Sequence, residues 1–419
     1  MLKNSLLVTS LLCLYSFSRA QNAFSVAQKA ADKQPENYLA PIKALHDMKV
    51  DKADSDFYYQ AMMTYYSFLG DYRKTMYYSD SRFKDEIKKE KIDCDTAFVK
   101  SHRFVNAAQY IITQAKRQQV VMINEAHHIA YHRAFVLLML KDFYKAGYRY
   151  LALETLDDSL INQKKYPDYH TGYYTSEPLY SEMLRETMKI GFKIVQYEPV
   201  QDCDNKGNDS NYCNRFRDSL MAINLTRFLK RNTKGKLLVY AGYGHIYEGD
   251  NTGWKRMAEY FTQFTKIDPF TIDLTQQIEH YYPQLENKEF TAVNKLKRIK
   301  EPVIALQNNQ PWHKGFVDAT VIFPRYLAKT GRPSFYNING SRELYNLNAL
   351  HLKPGQFVQA FYIGEKSGNR VPADQLVTNK QNNSLCLFNG DYSLEIKDNK
   401  GRLIRKTIIS TRARATNKL

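Results

Sequence analysis

No two cysteines stand in a Cys-x-x-Cys arrangement, and no His-Glu-x-x-His run occurs, so neither a zinc ribbon nor the ordinary zincin mechanism has residues to build on. No Gly-x-Ser-x-Gly elbow is present, which leaves a serine hydrolase of that design unsupported. A Walker A loop is also missing. Gly242, Gly244 and Gly249 come near a dinucleotide fingerprint, but the third glycine is misplaced. Beyond the first residues, no stretch approaches the roughly 20 apolar residues of a membrane helix. Acid is in short supply: 43 Asp and Glu face 60 Lys and Arg, a formal charge of +17. Much of the excess lies in mixed runs, such as Lys84 to Lys91 and Arg402 to Lys418. With no element for reading bases, this excess does not point to nucleic acid. Non-specific attraction to an anionic envelope surface is the partner class it allows.

What is present begins with a targeting pattern. Lys3 precedes an apolar run from Leu6 to Leu14, and Ser18-Arg19-Ala20 supplies small residues of the kind a signal peptidase reads. Residues 1–20 therefore read as a signal peptide, and the expected location is outside the cytoplasm: periplasmic, secreted or on the outer surface. Export permits disulfides. Cys203 and Cys213 lie on one loop rich in Asn, Asp and Gly, and a local Cys203–Cys213 bridge is the expectation, with two unpaired thiols as the alternative.

At about 150 residues per domain, 419 residues suggest two or three domains. Residues 21–116 read as a helical N-terminal region. Residues 117–340 read as an α/β domain, in which apolar runs of strand length alternate with amphipathic runs of helix length. The strands are expected at Val120–Ile123, Tyr150–Leu153, Lys193–Tyr197, Lys236–Tyr240 and Pro269–Ile272, with Val303–Leu306 and Ala319–Phe323 as further strands attached to this core. Helices opened by signals such as Ser-Glu-Pro at 176–178 and closed by Gly147 and Gly191 lie between them. Near-continuous apolar strands imply a mostly parallel sheet with helices on both faces. Residues 341–419 read as a small all-β, sandwich-like domain, with Asn389-Gly390 as a hairpin signal.

Ligands of parallel α/β sheets bind beyond the carboxyl ends of the strands. Four successive strands end in ionisable residues there: Asn124-Glu125-Ala126-His127-His128, Glu154-Thr155, Tyr197-Glu198, and Ala241-Gly242-Tyr243-Gly244-His245. A carboxylate at one strand end is commonly a helix cap, and a lone His is commonly structural. Four such ends on one edge are harder to explain by capping. Arg133 follows on the next helix, where an ion pair with Glu154 is its bland reading. His132, on the same helix, reads as a solvated residue. The aromatic segment from Tyr166 to Tyr174 follows the Glu154 strand and is placed to overhang the site, with His170 as an exposed loop residue.

Asn-Glu-Ala-His-His, then Arg133, Leu-Ala-Leu-Glu-Thr, Tyr-Glu and Tyr-Gly-His resemble the superfamily of erythromycin esterases, ChaN-like haem-uptake lipoproteins and TIKI-type proteases, over residues 117–280. Asn124 stands where that pattern usually has Gly. The esterase-like branch implies hydrolysis of an ester or amide, in a small molecule or peptide, by water activated without metal. His127 or His128 would be the base, held by Glu125 or Glu154, with His245 as a second acid/base, Arg133 holding an anionic intermediate or ordering a carboxylate, and Glu198 supporting. The resemblance implies His128 as base in the esterase branch and His127 in the other two. The protease-like branch implies a divalent metal on His127, His128, Glu154 and His245, and the haem-uptake branch implies haem binding without catalysis.

Overall fold

The computed structural model describes residues 22–51, 54–87, 94–199, 203–204, 209, 211–249, 254–329, 331–381 and 383–411. The expected signal segment lies outside them. The chain opens with α1 (Ala23–Lys33), α2 (Leu39–His46), α3 (Ser55–Leu69) and α4 (Tyr72–Ser81). Asn22 and Asp71 cap α1 and α4 by accepting backbone N–H groups of the first turn, each worth about 1 kcal/mol. Then come α5 (Thr96–Ser101), β1 (Arg103–Asn106) and α6 (Ala107–Ala115). The sequence predicts helix throughout this region. Instead, β1 pairs antiparallel with β7 (Val303–Gln307), some 200 residues on. Four residues between two helices carry no period of their own, and only that distant partner makes them a strand.

The alternating region supplies β2 (Val120–Glu125), α7 (Ala130–Lys145), β3 (Tyr148–Leu153), α8 (Ile161–Lys164), α9 (Pro178–Ile190) and β4 (Lys193–Gln196). It continues with α10 (Tyr212–Arg231), β5 (Lys236–Gly242), α11 (Met257–Thr265), β6 (Phe270–Gln277) and α12 (Lys288–Leu296). Glu177 starts α9 by accepting from the N–H groups of Leu179 and Tyr180, and Gly191 ends it at φ 111°, a conformation that suits glycine. After β7 the sheet gains β8 (Gln310–Pro311) and β9 (Ala319–Ile322).

The result is a mixed, mostly parallel sheet of nine strands, in the order β1-β7-β9-β6-β2-β5-β3-β4 with β8 beside β7. The six strands from β9 to β4 are parallel, while β1, β7 and β8 are antiparallel additions at the other edge. Strand residues alternate between two cores, as a sheet covered on both faces requires. Val121, Ile123, Leu151 and Leu153 pack under α7 and α9, in one core with the N-terminal helices. Val120, Met122, Ala152 and Val239 pack under α10 and α11. The expected N-terminal region therefore shares the core of the α/β sheet.

β10 (Ala328–Lys329) and β11 (Arg332–Pro333) form a two-stranded link. The C-terminal part is small and antiparallel. It contains β12 (Glu343–Asn346), β13 (Phe357–Tyr362), β14 (Asp374–Val377), β15 (Ser384–Leu387), β16 (Asp391–Lys397) and β17 (Leu403–Ser410). Four strands run in the order β14-β13-β16-β17, and β12 pairs with β15. Leu385 and Leu387 of β15 pack with Val358, Ala360 and Leu394 of the larger sheet. Ion pairs bind this part to the rest: Arg370 to Glu36 at 2.8 Å, Arg185 to Glu365 at 2.8 Å, and Arg332 to Asp374.

Candidate active site

Strand order decides what meets at the carboxyl edge. The chain passes from β2 to β3 and β4, then returns to lay β5 between β2 and β3. Glu125 from β2, Glu154 after β3, Glu198 after β4 and His245 after β5 are thus brought to one place. His127 Nδ1 donates to Glu125 Oε1 at 2.9 Å, which leaves the lone pair on Nε2. That nitrogen faces Glu154 Oε1 at 4.0 Å, and His245 Nε2 faces the same oxygen at 3.6 Å. Two imidazoles therefore converge on one carboxylate oxygen.

Glycine at 242 makes this approach physically possible. A Cβ there would stand 2.2 Å from His127 Nε2 and 3.0 Å from Glu154 Oε2, and the Gly242 N–H donates to that carboxylate. The ring of Tyr174 stacks on His127 with centroids 3.9 Å apart, so the aromatic segment after β3 does reach the cluster. His170, in the same segment, is exposed. Tyr243 stands edge-on to His127 at 5.3 Å and is 44% exposed, forming the outer wall.

Arg133 does not pair with Glu154. It is fully buried, grips both oxygens of Glu125 at 2.8 and 2.9 Å, and reaches Glu177 at 3.1 Å. Its Nη2 also donates to the His127 carbonyl at 2.6 Å. It acts through Glu125 and the His127 backbone, as a positioning residue. Burial works against ionisation of Glu125, but Arg133 and His127 outweigh it and lower its pKa to about 2.

His128 is turned away from the cluster. Its Nε2 contacts the Ser79 hydroxyl on α4 at 3.0 Å, and its Nδ1 lies 3.3 Å from the Tyr243 hydroxyl. Burial, reinforced by nearby positive groups, lowers its pKa to about 3, so it remains neutral and is a poor proton acceptor. His132 is not solvated, as the sequence suggested, but fully buried. It accepts the Ala126 N–H on Nδ1 at 3.1 Å, and burial lowers its pKa to about 3. The apolar face of α7 claims it, because the helix is covered on nearly all sides.

Two residues escaped the sequence reading. Arg217 and Asp218, on the first turns of α10, both reach the cluster. Arg217 donates to Glu198 Oε1 at 2.6 Å, to Glu154 Oε1 at 2.6 Å and to His245 Nε2 at 3.1 Å. Asp218 Oδ1 receives His245 Nδ1–H at 2.5 Å. The Arg-Asp pair, beginning nineteen residues beyond Glu198, was the available signal, but nothing in its periodicity separates it from a solvated helix start. Burial would lower the His245 pKa, but Asp218 and Glu154 override it and raise it. Burial opposes ionisation of Glu154 too, yet His245 and Arg217 hold its pKa well below the usual carboxylate range. Cys203 and Cys213 are disulfide-bonded with Cα atoms 5.6 Å apart, and Cys213 lies one helical turn before Arg217.

The residues do not fit a metal centre well. His128 faces Ser79, and the guanidinium of Arg217 already occupies the space between Glu154 and Glu198. Among the described residues, no three His, Cys, Asp or Glu side chains are grouped as metal ligands.

No family model matches the chain, and neither does any curated protein. Among solved structures it is similar to the type III effector HopBA1, at 14% identity and a TM-score of 0.32 over 42% of this chain and 86% of that one. It is also similar to RRSP, a MARTX toxin effector domain from Vibrio vulnificus CMCP6, at 13% identity and a TM-score of 0.31 over 59% of this chain and 51% of that one. The C-terminal region of Pasteurella multocida toxin gives 8% identity and a TM-score of 0.30 over 87% of this chain and 59% of that one. Likenesses this slight leave the function to be argued from the chain's own residues.

Proposed function

We propose that this protein is an exported hydrolase cleaving an ester or amide with water activated by the Glu125–His127 pair. The chemistry is that of the erythromycin-esterase-like branch, but the base stands at the position that the resemblance gives to the haem-uptake and protease-like branches. The observation that carries this reading is the convergence of His127 Nε2 and His245 Nε2 on Glu154 Oε1, at 4.0 and 3.6 Å, each imidazole fixed through Nδ1 by its own carboxylate. A base needs a free lone pair and a partner that stabilises the charge it gains. Glu125 supplies that partner for His127, as Asp218 does for His245.

In this mechanism His127 Nε2 takes the proton of a water whose oxygen bonds to the substrate carbonyl carbon. His127, protonated in that step, returns the proton from Nε2 to the departing alcohol or amine, while His245, whose Nε2 accepts from Arg217 and whose Nδ1–H is held by Asp218, orients the Arg217 guanidinium. Of the two Nη1 hydrogens of Arg217, the contact to His245 uses one, and the second is available to the developing oxyanion. Glu154 and Glu198 hold Arg217 in place.

The test is a screen of the purified full chain against small esters and peptides, with elemental analysis and a haem titration of the same sample. Turnover by metal-free protein, abolished in His245→Ala, supports the reading. Turnover only with added metal, or a Soret band lost on changing His127 with no hydrolysis, sinks it.

A further inference from the structure

Over β2 to β5 the two edges of the sheet carry opposite charge, whereas the segments leading into β6 and β9 hold Asp268 and Asp318. Carboxylates crowd the carboxyl edge. At the amino edge, the segments leading into β2, β3, β4 and β5 are residues 115–120, 145–150, 189–193 and 227–237, which together hold eleven Lys or Arg and no Asp or Glu. Part of this charge has a structural use. Lys236 Nζ donates to the carbonyls of Ala115 and Lys116 at 3.1 and 2.6 Å, and Arg149 Nη1 donates to those of Tyr144 and Tyr148 at 2.6 and 2.8 Å. These contacts close the carboxyl ends of α6 and α7. Lys145 and Lys189 pair along their own helices with Asp142 at 3.1 Å and Glu186 at 2.9 Å. Cations at helix ends also complement the helix dipole.

Lys116, Arg117, Lys193 and Lys234 flank strands or loops, are exposed, and have no carboxylate partner among the described residues. Lys230 and Arg231, at the end of α10, are exposed as well. The strand register sets these groups at one level: Val120 pairs with Leu237, Tyr148 with Lys236, and Tyr150 with Lys193. The charge extends in two directions. It runs across the strand ends at about 4.8 Å per strand, and it spreads to both sides of the sheet, with Lys145 and Lys189 under one face and Lys230 and Arg231 under the other.

We propose that this amino-edge face docks on an anionic lipid bilayer, seating the protein with its carboxyl-edge cluster turned away from the membrane. A two-dimensional spread of exposed lysines matches a plane of anionic headgroups. A linear polyanion would need its cations along one track, and these are not so arranged. Nothing in this proposal depends on the hydrolase reading.

The experiment is co-sedimentation of the full chain with vesicles. Vesicles of phosphatidylglycerol in phosphatidylcholine should bind it, vesicles of phosphatidylcholine alone should not, and binding should weaken from 0.05 M to 0.5 M salt. Lys193→Glu with Lys234→Glu should weaken binding at least about tenfold. The neutral pair Lys193→Gln with Lys234→Gln should give a smaller loss of the same sign. Lys295→Glu with Lys297→Glu, an equal charge change on exposed residues at the end of α12 and directly after it, should weaken it less than about twofold. An equal loss in both charge-reversed pairs would show net charge alone at work and overturn the proposal. So would binding to the soluble polyanion heparin without binding to anionic vesicles.

Discussion

Two buried charge networks in this protein use the same residue types to different ends. One lies at the carboxyl edge, where Arg133 and Arg217 hold Glu125, Glu154, Glu177 and Glu198. The other joins the C-terminal sheet to the rest, where Arg332, Arg370 and Arg185 hold Asp374, Glu36, Glu395 and Glu365. Among the described residues the second joins arginines to carboxylates and lysines and includes no imidazole. The first adds two imidazoles, each bonded through Nδ1, with Nε2 turned to a shared carboxylate. Gly242 leaves room for that approach, and His127 and His245 keep 11% and 17% of their side-chain surface exposed. A charge network becomes a candidate site where it includes a group that can exchange a proton and a route by which something can reach it.

The largest expected effect separates adjacent histidines. His127→Ala should lower hydrolysis by about 10²- to 10⁴-fold, as measured by kcat/KM, with the thermal midpoint little changed. His128→Gln should leave kcat/KM within about threefold. Equal losses from the two would erase the distinction between a site imidazole and a packing imidazole. In the second network, Arg332→Ala strands Asp374 in the core, and denaturant unfolding should show a loss of about 3–5 kcal/mol. Its kcat/KM, measured where the variant is folded, should hold. A specific loss of turnover there would mean that the networks act as one.

The smallest effect is on acid stability. His128 and His132 have native pKa values lowered to about 3, below the unfolded value near 6.5. Below pH 6.5 the unfolded chain therefore binds protons that the native protein does not. Each histidine removes up to about 1.4 kcal/mol of stability per pH unit as pH falls from 6.5 towards 3. Glu125, lowered to about 2, adds its own loss between about pH 4.5 and 2. His132→Gln should flatten the stability profile between pH 6 and 4, and an unchanged slope would mean that His132 is protonated in the native state.

Much of this arrangement is legible along the chain, because both strands and strand ends are local. A mostly apolar run of four or five residues followed by Glu125, by Glu154, by Glu198 or by a Tyr-Gly-His turn marks a carboxyl edge without knowledge of the neighbours. The parallel class follows from the same runs, since strands buried on both faces have no polar alternation. The antiparallel additions β1, β7 and β8 were not legible as a group, because their direction depends on partners far along the chain. His132 was misread for a related reason: whether a helix face is wet depends on what covers it.

The residue pattern by itself determined that carboxylates and histidines end successive strands, for that is set by spacing alone. Tertiary structure decided which of them meet. Laying β5 between β2 and β3 brings His245 opposite His127, and packing α10 over the sheet delivers Arg217 and Asp218. The choice between His127 and His128 was also tertiary. Neighbouring side chains leave a turn in different directions, and the hydroxyl that receives His128 belongs to Ser79, forty-nine residues earlier in the chain.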